Sequence, residues 1–321
     1  MAVPSETDSG TPVSGALCFE VSDVFAGKRI DVALSSLAEI PRSAVQRWIA
    51  AERVWVNDRT CRASFRVSLG DEVKAWPLDP VVPSLVPEPI SLVVLYEDRD
   101  LIVIDKPSGL VVHPAPGHPR GTLVNALLHH CGDLAGVGGV LRPGIVHRLD
   151  RGTSGVMVAA KNDLAHRGLA QQFHDHSIER VYRALVRELP ATDEGMVDRP
   201  IGRHPRDRKR MSVATRAGRS ARTRWEVFER FATSRRSDLT IRPETGRTHQ
   251  IRVHLASVGL PIVGDAVYGR SREAEIARPA LHAAVLGFVH PESGKRVRFE
   301  AAMPADMQEL LSAYRSREPV S

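Results

Sequence analysis

Between residues 29 and 76 the apolar positions change period twice. Ile30, Ala33, Leu34 and Leu37 fall at the i, i+3, i+4, i+7 spacing of an amphipathic helix. Pro41-Arg42-Ser43 opens a second helix carrying Val45, Trp48 and Ile49. Val54-Trp55-Val56 then reads as a strand entering an Asn57-Asp58 turn, and Gly70-Asp71-Glu72-Val73-Lys74-Ala75 as a turn and closing strand. Further on, the pattern predicts short strands over 92–96, 101–105, 156–160, 182–186 and 239–242, with helices over 122–130, 164–175 and 248–258. Strands and helices alternate irregularly. That favours an α+β fold with a mixed sheet over a doubly wound parallel one.

Five prolines (77, 80, 83, 87 and 89) interrupt the pattern, and so dense a run suits an extended spacer rather than a central strand. The expected organisation is therefore a polar tail over 1–18, rich in Ser, Thr, Gly and Pro and read as disordered. A compact domain follows over 19–77, then a linker over 78–90 and a larger domain over 91–318.

Composition narrows the class. With 42% hydrophobic and 26% charged residues, this is an ordinary globular chain. No apolar run approaches the ~20 residues of a membrane span, and the first residues carry neither a basic start nor an apolar signal core. Cys18, Cys61 and Cys131 are too few and scattered for a disulfide framework or a zinc site, so the expected location is cytoplasmic. His129-His130-Cys131 and the His174/His176 pair lack partners at metal-ligand spacing. Gly136, Gly138 and Gly139 lack the strand–loop–helix context of a dinucleotide loop. Neither a metal nor a cofactor is expected, and nothing demands more than a monomer.

Net charge is only +6, but residues 199–224 hold ten Lys/Arg (199, 203, 206, 208, 209, 210, 216, 219, 222, 224) against the single acid Asp207. Such clustering fits a phosphate-contacting surface, with Arg203, Arg208, Lys209 and Arg210 as candidate contacts. It does not distinguish RNA from DNA.

The candidate chemistry begins at His147-Arg148-Leu149-Asp150-Arg151-Gly152-Thr153-Ser154-Gly155, a carboxylate between two arginines on a turn before a buried strand. Alone, the run also fits a surface turn with a casual ion pair. Three other segments accompany it: 105–114 (DKPSGLVVHP), 179–186 (ERVYRALV) and 243–255 (PETGRTHQIRVHL). In the first, Lys106 could suggest a Schiff base but better suits a role in shaping the pocket entrance.

Together these motifs, in this order and spacing, resemble the RluA family of RNA pseudouridine synthases, over about residues 20–305. The helix–helix–strand module with Arg29, Arg42, Arg47 and Arg53 resembles the S4 RNA-binding domain, although Glu52 and Asp58 stand where most such domains have glycine. With "IGRHPRDRKRMSV" the chain looks most like the RluC/RluD-type branch. The resemblance implies a largely antiparallel catalytic domain behind a small S4-like α/β module, and structured RNA, above all 23S ribosomal RNA, as partner. It implies Asp150 as the catalytic carboxylate, Tyr182 as the ring that stacks on the target base and serves proton removal at C5, and Arg247 as the arginine paired with Asp150. Arg148 would fill the gap left by the target uridine, and Arg29, Arg42 and Arg47 would contact RNA. Arg180 replaces the family's usual lysine and receives no role.

The residue types suit that chemistry. Isomerising uridine breaks N1–C1′, turns the base and joins C5 to C1′. A carboxylate can attack C1′ or take a proton from the sugar, and either route needs its ionised form, which a neighbouring arginine favours. Rival readings are a tRNA uridine as substrate, a non-catalytic RNA-binding or assembly factor, and a glycosidase using paired carboxylates. The last lacks a second acid near Asp150.

Overall fold

The structure, a computed structural model, describes residues 16–78, 85–114, 118–132, 134, 137, 143–207, 210–215, 217–269 and 275–319. The chain divides into two compact units, Met1–Pro83 and Ser84–Ser321.

In the first unit, helices α1 (Ile30–Leu37) and α2 (Arg42–Ala50) share one core with strands β1 (Leu17–Glu20), β2 (Val54–Val56) and β4 (Glu72–Ala75), and the exposed β3 (Arg59–Thr60) adds an edge. The strands form an antiparallel sheet ordered β1-β4-β2-β3. Leu17 and Cys18, assigned to the polar tail, pair with Ala75 and Lys74 in this sheet; most of that tail lies outside the described residues. The two positions lacking the usual glycine take the left-handed conformation all the same: Glu52 at φ 57° and Asp58 at φ 59°. The carbonyl of Glu52 is fixed there by the indole N–H of Trp55 at 2.9 Å.

Arg29 and Arg42 have an internal duty in this unit. Both guanidiniums donate to Asp31, a fully buried carboxylate, at 2.8–3.1 Å, joined by Gln46 at 2.7 Å. Burial alone would raise the Asp31 carboxyl, but these donors overcome it and hold it at about 2. The cluster ties the start of α1 to α2. Arg47 is exposed, with no side-chain partner among the described residues.

The second unit is built on nine strands: β5 (Val93–Glu97), β6 (Leu101–Lys106), β7 (Ser154–Ala160), β8 (Glu179–Arg187), β9 (Glu194–Asp198), β12 (Arg222–Phe231), β13 (Arg236–Pro243), β14 (Leu281–Val289) and β15 (Arg296–Glu300). Their order is β5-β6-β7-β14-β8-β13-β12-β9, with β15 also on β14. The pairing is antiparallel except between β7 and β14, so the mixed, largely antiparallel α+β architecture expected from the sequence is the one found. A short hairpin, β10 (Gly202–Arg203) with β11 (Met211–Ser212), carries part of the basic stretch. Helices α3 (Leu123–Cys131), α4 (Asp163–His174), α5 (Gln250–Ser257) and α6 (Ala305–Arg315) complete the unit.

Two large apolar clusters form its core, beside a small one of Ile201, Ala221, Val253 and Tyr268. One joins β6, β7, α3 and α4; the other joins β8, β13, α5 and α6, and Tyr182 packs against both. The proline-rich stretch is not wholly a free spacer. Leu85 packs on the first cluster, Asn125 of α3 donates to the Val86 carbonyl at 2.8 Å, and the Glu88 N–H donates to the Asn125 carbonyl. Residues 79–84 lie outside the described residues.

Candidate active site

Asp150 sits on a turn whose every neighbour is fixed. The Thr153 N–H donates to its carbonyl, the Gly109 N–H donates to the Arg151 carbonyl, and Ser108 Oγ donates to that of Gly152. Gly155 then lets β7 approach β14. It has φ 116°, and a Cβ there would lie 2.1 Å from the Ala283 carbonyl oxygen, so no other residue fits. The adjacent Ser154 hydroxyl bonds to His282 Nδ1 at 3.0 Å, while His282 Nε2 donates to the Ala301 carbonyl. Before the turn, His147 stacks on Phe173 and its Nε2 accepts the Val158 N–H at 3.1 Å. Burial, with help from Arg180, pushes the His147 imidazole down to about 3, so it is a neutral acceptor in the folded protein.

Lys106, at the end of β6, is fully buried and donates to the carbonyls of Pro107 and Leu110. Burial lowers its ammonium to about 8, against the pull of Asp150. The lysine braces the 107–110 loop against the aspartate turn.

The arginine paired with Asp150 is Arg252, not Arg247. Arg252 Nη1 donates to Asp150 Oδ2 at 3.0 Å, and its Nε and Nη2 grip Asp265 at 2.7 and 2.9 Å. Burial works against this guanidinium, yet the two carboxylates raise its pKa above the ordinary arginine value. Burial works against the Asp265 carboxylate, yet Arg252 and the N–H groups of Val267 and Tyr268 together hold its pKa low. Arg247 stands in the turn before α5, where its Nε donates to the Ser220 carbonyl at 3.0 Å. The reason is helix geometry. Arg252 lies in the first turn of α5 and is buried, whereas Arg247 precedes the helix and is only half-buried at the cavity wall.

His249 caps α5 with left-handed backbone (φ 57°), and its Nε2 lies 3.9 Å from Asp150 Oδ2. On its far side Nδ1 meets the Tyr268 hydroxyl at 2.8 Å, which also accepts the Met211 N–H from β11. The network is satisfied when the phenol donates to Nδ1, leaving Nε2–H toward the carboxylate. Arg252 and Arg210 lie over the Tyr268 ring. Gln250 organises the turn below: it accepts from Thr245 Oγ1 and the Arg247 N–H and donates to Arg222 O and Thr223 Oγ1.

Asp150, Tyr182, Arg148 and Arg247 all line one cavity of about 470 Å³, with Arg180, Arg219, His249 and Arg252 on its walls. That is within the roughly 300–1,000 Å³ that encloses small ligands. Tyr182 projects from β8 on the same face as Arg180, two residues away. Burial and the Asp150 charge raise its phenol above the ordinary value, Arg180 opposing. Arg148 is exposed, with no side-chain partner among the described residues.

The basic stretch divides. Arg222 and Arg224 are neutralised by Asp198 and Glu244. Arg203 is exposed on β10, Arg210 leans on Tyr268, and Arg219 faces the cavity. Arg208 and Lys209 lie outside the described residues. Sequence reasoning missed Arg252, Asp265, His249 and Tyr268. Their one available signal was polar Gln250, Arg252 and His254 in an otherwise apolar helix, side chains that needed buried partners.

Comparison with known proteins agrees with this geometry. Residues 100–257 match the family described as RNA pseudouridylate synthase, and residues 28–73 match the S4 domain. The chain is 46% identical over 292 residues to an uncharacterized RNA pseudouridine synthase of Bacillus subtilis, covering 90% of this chain and 94% of that one. It is 51% identical over 235 residues to ribosomal large subunit pseudouridine synthase D of Zymomonas mobilis, covering 70% and 73%. Among solved structures, human RNA pseudouridylate synthase domain containing 1 superposes with a TM-score of 0.55 at 25% identity, covering 71% of this chain and 98% of that one.

Proposed function

The chain belongs to the RluA-type family of RNA pseudouridine synthases, isomerases that convert uridine in RNA to pseudouridine, and we propose large-subunit ribosomal RNA as its substrate. The Zymomonas and Neisseria relatives named for that RNA support the choice. The S4 domain supports a structured RNA target, and we propose that the enzyme works in the cytoplasm as a monomer. Among the described residues, no helix is long and apolar enough to cross a membrane.

The observation that carries the mechanism is the Asp150 carboxylate at 3.0 Å from Arg252, in a cavity shared with Tyr182. Asp150 starts the reaction, either by attack on C1′ or by taking a proton from the sugar. Arg252 holds the carboxylate through Oδ2 and, being locked on Asp265, cannot swing away with the charge. Tyr182 offers a flat ring to the detached uracil and, near C5, a phenol for the last proton transfer. The target nucleotide has to leave its stack to reach this cavity, costing a few kcal/mol, and the free Arg148 at the rim is placed to fill the gap. Arg203 and Arg210, with Arg47 on the first unit, supply phosphate contacts; Arg29 and Arg42 contribute what remains after their ties to Asp31.

The test is tritium release from C5-tritiated ribosomal RNA. The wild-type protein is expected to release tritium, and Asp150→Asn to abolish release while still binding RNA. No release from any cellular RNA would defeat the reading.

A further inference from the structure

Breaking the N1–C1′ bond moves charge, and the fixed groups around Asp150 do not follow it. If Asp150 attacks C1′, a carboxylate oxygen bonds to that carbon and the N1–C1′ electron pair leaves with the base. If Asp150 instead takes the C2′ proton, the C2′–H pair becomes the C1′=C2′ double bond and the N1–C1′ pair again leaves with the base. Either way one negative charge passes from Asp150 to uracil, spread over N1, O2 and O4. When C5 later bonds to C1′, the charge returns to the carboxylate, either directly as the C1′–O bond breaks with its electron pair, or on the second route as the C1′=C2′ pair takes back at C2′ the proton that Asp150 holds. A cation for the intermediate must lie against the base and not already be neutralised.

We propose that Arg180 is a further catalytic residue, a base-contacting guanidinium that takes up the charge of the detached uracil. The proposal rests on the pseudouridine synthase reading above.

The other cations in and near the cavity are committed elsewhere or exposed to water. Arg252 is divided between Asp150 and Asp265, and Arg247 donates to Ser220 at the outer turn. Arg148 and Arg219 are exposed, where water screens their charge. Lys106 is spent on two backbone carbonyls. Arg180 differs from all of these. Among the described residues no carboxylate lies within ion-pair distance of it, and its buried Nε has no hydrogen-bond partner. Its one bond is from Nη2 to the Glu244 carbonyl at 3.2 Å.

A half-buried guanidinium with its Nε shut off from water and no counter-ion is costly unless something arrives to match it. Burial lowers its pKa, and Tyr182, the strongest opposing influence, is neutral at ordinary pH. The local sequence keeps the charge in place. The 243–247 turn closes over it, and at Gly246 a Cβ would sit 3.2 Å from Nη1. Arg180 also shares the cavity-facing side of β8 with Tyr182, so a base lying on the tyrosine ring has the guanidinium at its flank. His147 beside it stays neutral and adds no competing charge.

The experiment uses full-length protein and a ribosomal RNA stem-loop that the wild-type protein modifies, made with uridine or 5-fluorouridine at the target position. Fluorine makes the departing base a weaker base, so it needs less help to leave. Arg180→Gln keeps a donor for the Glu244 carbonyl and removes the charge; Arg180→Lys keeps the charge. Single-turnover consumption of the target nucleotide is followed at saturating enzyme, and RNA affinity is measured separately. With uridine, Arg180→Gln is expected to slow consumption about 100-fold, the effect of losing one anion-stabilising donor. RNA affinity should stay within about threefold and Arg180→Lys should regain at least tenfold. With 5-fluorouridine the glutamine variant's loss should shrink at least fivefold. An equal loss on both RNAs would assign Arg180 a merely structural part and overturn the proposal, as would an effect confined to RNA affinity or a glutamine variant as fast as wild type. Should the glutamine variant fail to fold, the lysine variant carries the same two-RNA comparison. Wild-type protein that converts no uridine would instead defeat the underlying reading.

Discussion

Exchanging either arginine of the 247–252 segment tests which one serves Asp150. Arg252→Met removes a charge-assisted hydrogen bond 3.0 Å long from Asp150. Such bonds contribute about 1.5–3 kcal/mol, or roughly 10- to 150-fold in rate at 1.36 kcal/mol per factor of ten. The same change strands Asp265, whose side chain is fully buried, at a stability cost of about 3–5 kcal/mol. A slow Arg252→Met enzyme could therefore be an unstable one. Pairing it with Asp265→Asn removes the stranded charge, so the double variant should recover most of the thermal midpoint and none of the lost rate. Arg247→Met touches neither carboxylate. Its single-turnover rate should stay within about fivefold of wild type, the reach of an exposed contact of up to ~1 kcal/mol. The assay is single-turnover tritium release at saturating enzyme, with thermal unfolding recorded on the same preparations. If Arg247→Met were slower than the Arg252→Met/Asp265→Asn double variant, the assignment of Arg252 as the partner of Asp150 would be wrong.

Three other perturbations have worked-out signs. The folded Asp31 carboxyl, at about 2, lies below its unfolded value of 3.8, so its contribution is complete above the unfolded value and lost as pH falls toward 2. With its arginine partners half-exposed, that contribution is about 1–2 kcal/mol; in urea titrations the gap between wild type and Asp31→Asn should be constant above pH ~5 and close below pH ~4. His147 is likewise depressed, from 6.5 to about 3, so the folded form loses stability as pH drops below 6.5, by up to ~1.4 kcal/mol per pH unit. His147→Gln should flatten that slope between pH 6.5 and 4.5, and an unchanged slope would show that another group carries it. Gly155→Ala sets a Cβ against the Ala283 carbonyl at a φ closed to alanine and should cost about 3 kcal/mol or more, seen as a collapse of the thermal midpoint or of soluble yield.

How far the sequence was legible depended on whether local pattern and local partner coincide. The expected helix over 122–130 is α3 at 123–131, and that over 164–175 is α4 at 163–174, because each opens on a capping side chain, Thr122 or Asn162, and α4 in addition buries a single stripe through Ala165 and Leu169. The strand β14 went unread although it lies at the centre of the sheet. LHAAVLGFV is buried on both faces and shows no alternation, so periodicity alone does not separate it from a buried helix. Helix α5 is the same problem in the site itself. Six of its eight residues are buried, so its apolar pattern marks no single face and does not say whether Arg247 or Arg252 turns inward. The Asp150 motif was legible because its demands are local: a turn, a close approach at Gly155 and a strand. The Arg252–Asp265 pair spans a 13-residue separation that no spacing rule predicts.

The arginines sort by a single criterion, the nearest carboxylate, and that criterion is invisible to charge counting. The chain places basic residues densely at 199–224 and sets others before α1 (Arg29) and on α2 (Arg42, Arg47), and by count each looks equally fit to meet phosphate. In the fold Arg29 and Arg42 converge on buried Asp31, Arg222 and Arg224 on Asp198 and Glu244, and Arg252 on Asp265. Each of these holds the fold or holds another side chain in place. Arg47 and Arg148 are exposed and have no such partner among the described residues, so they remain available to a polyanion; Arg180 is half-buried, with its Nε withdrawn from solvent, and also lacks one. Exposure then separates the two uses. A screened cation at the surface adds to RNA affinity, whereas a cation withdrawn from water acts strongly only on charge that appears within a few ångströms of it. Mutating Arg47 or Arg148 should therefore change binding and its salt dependence, while mutating Arg180 should change the rate of the chemical step.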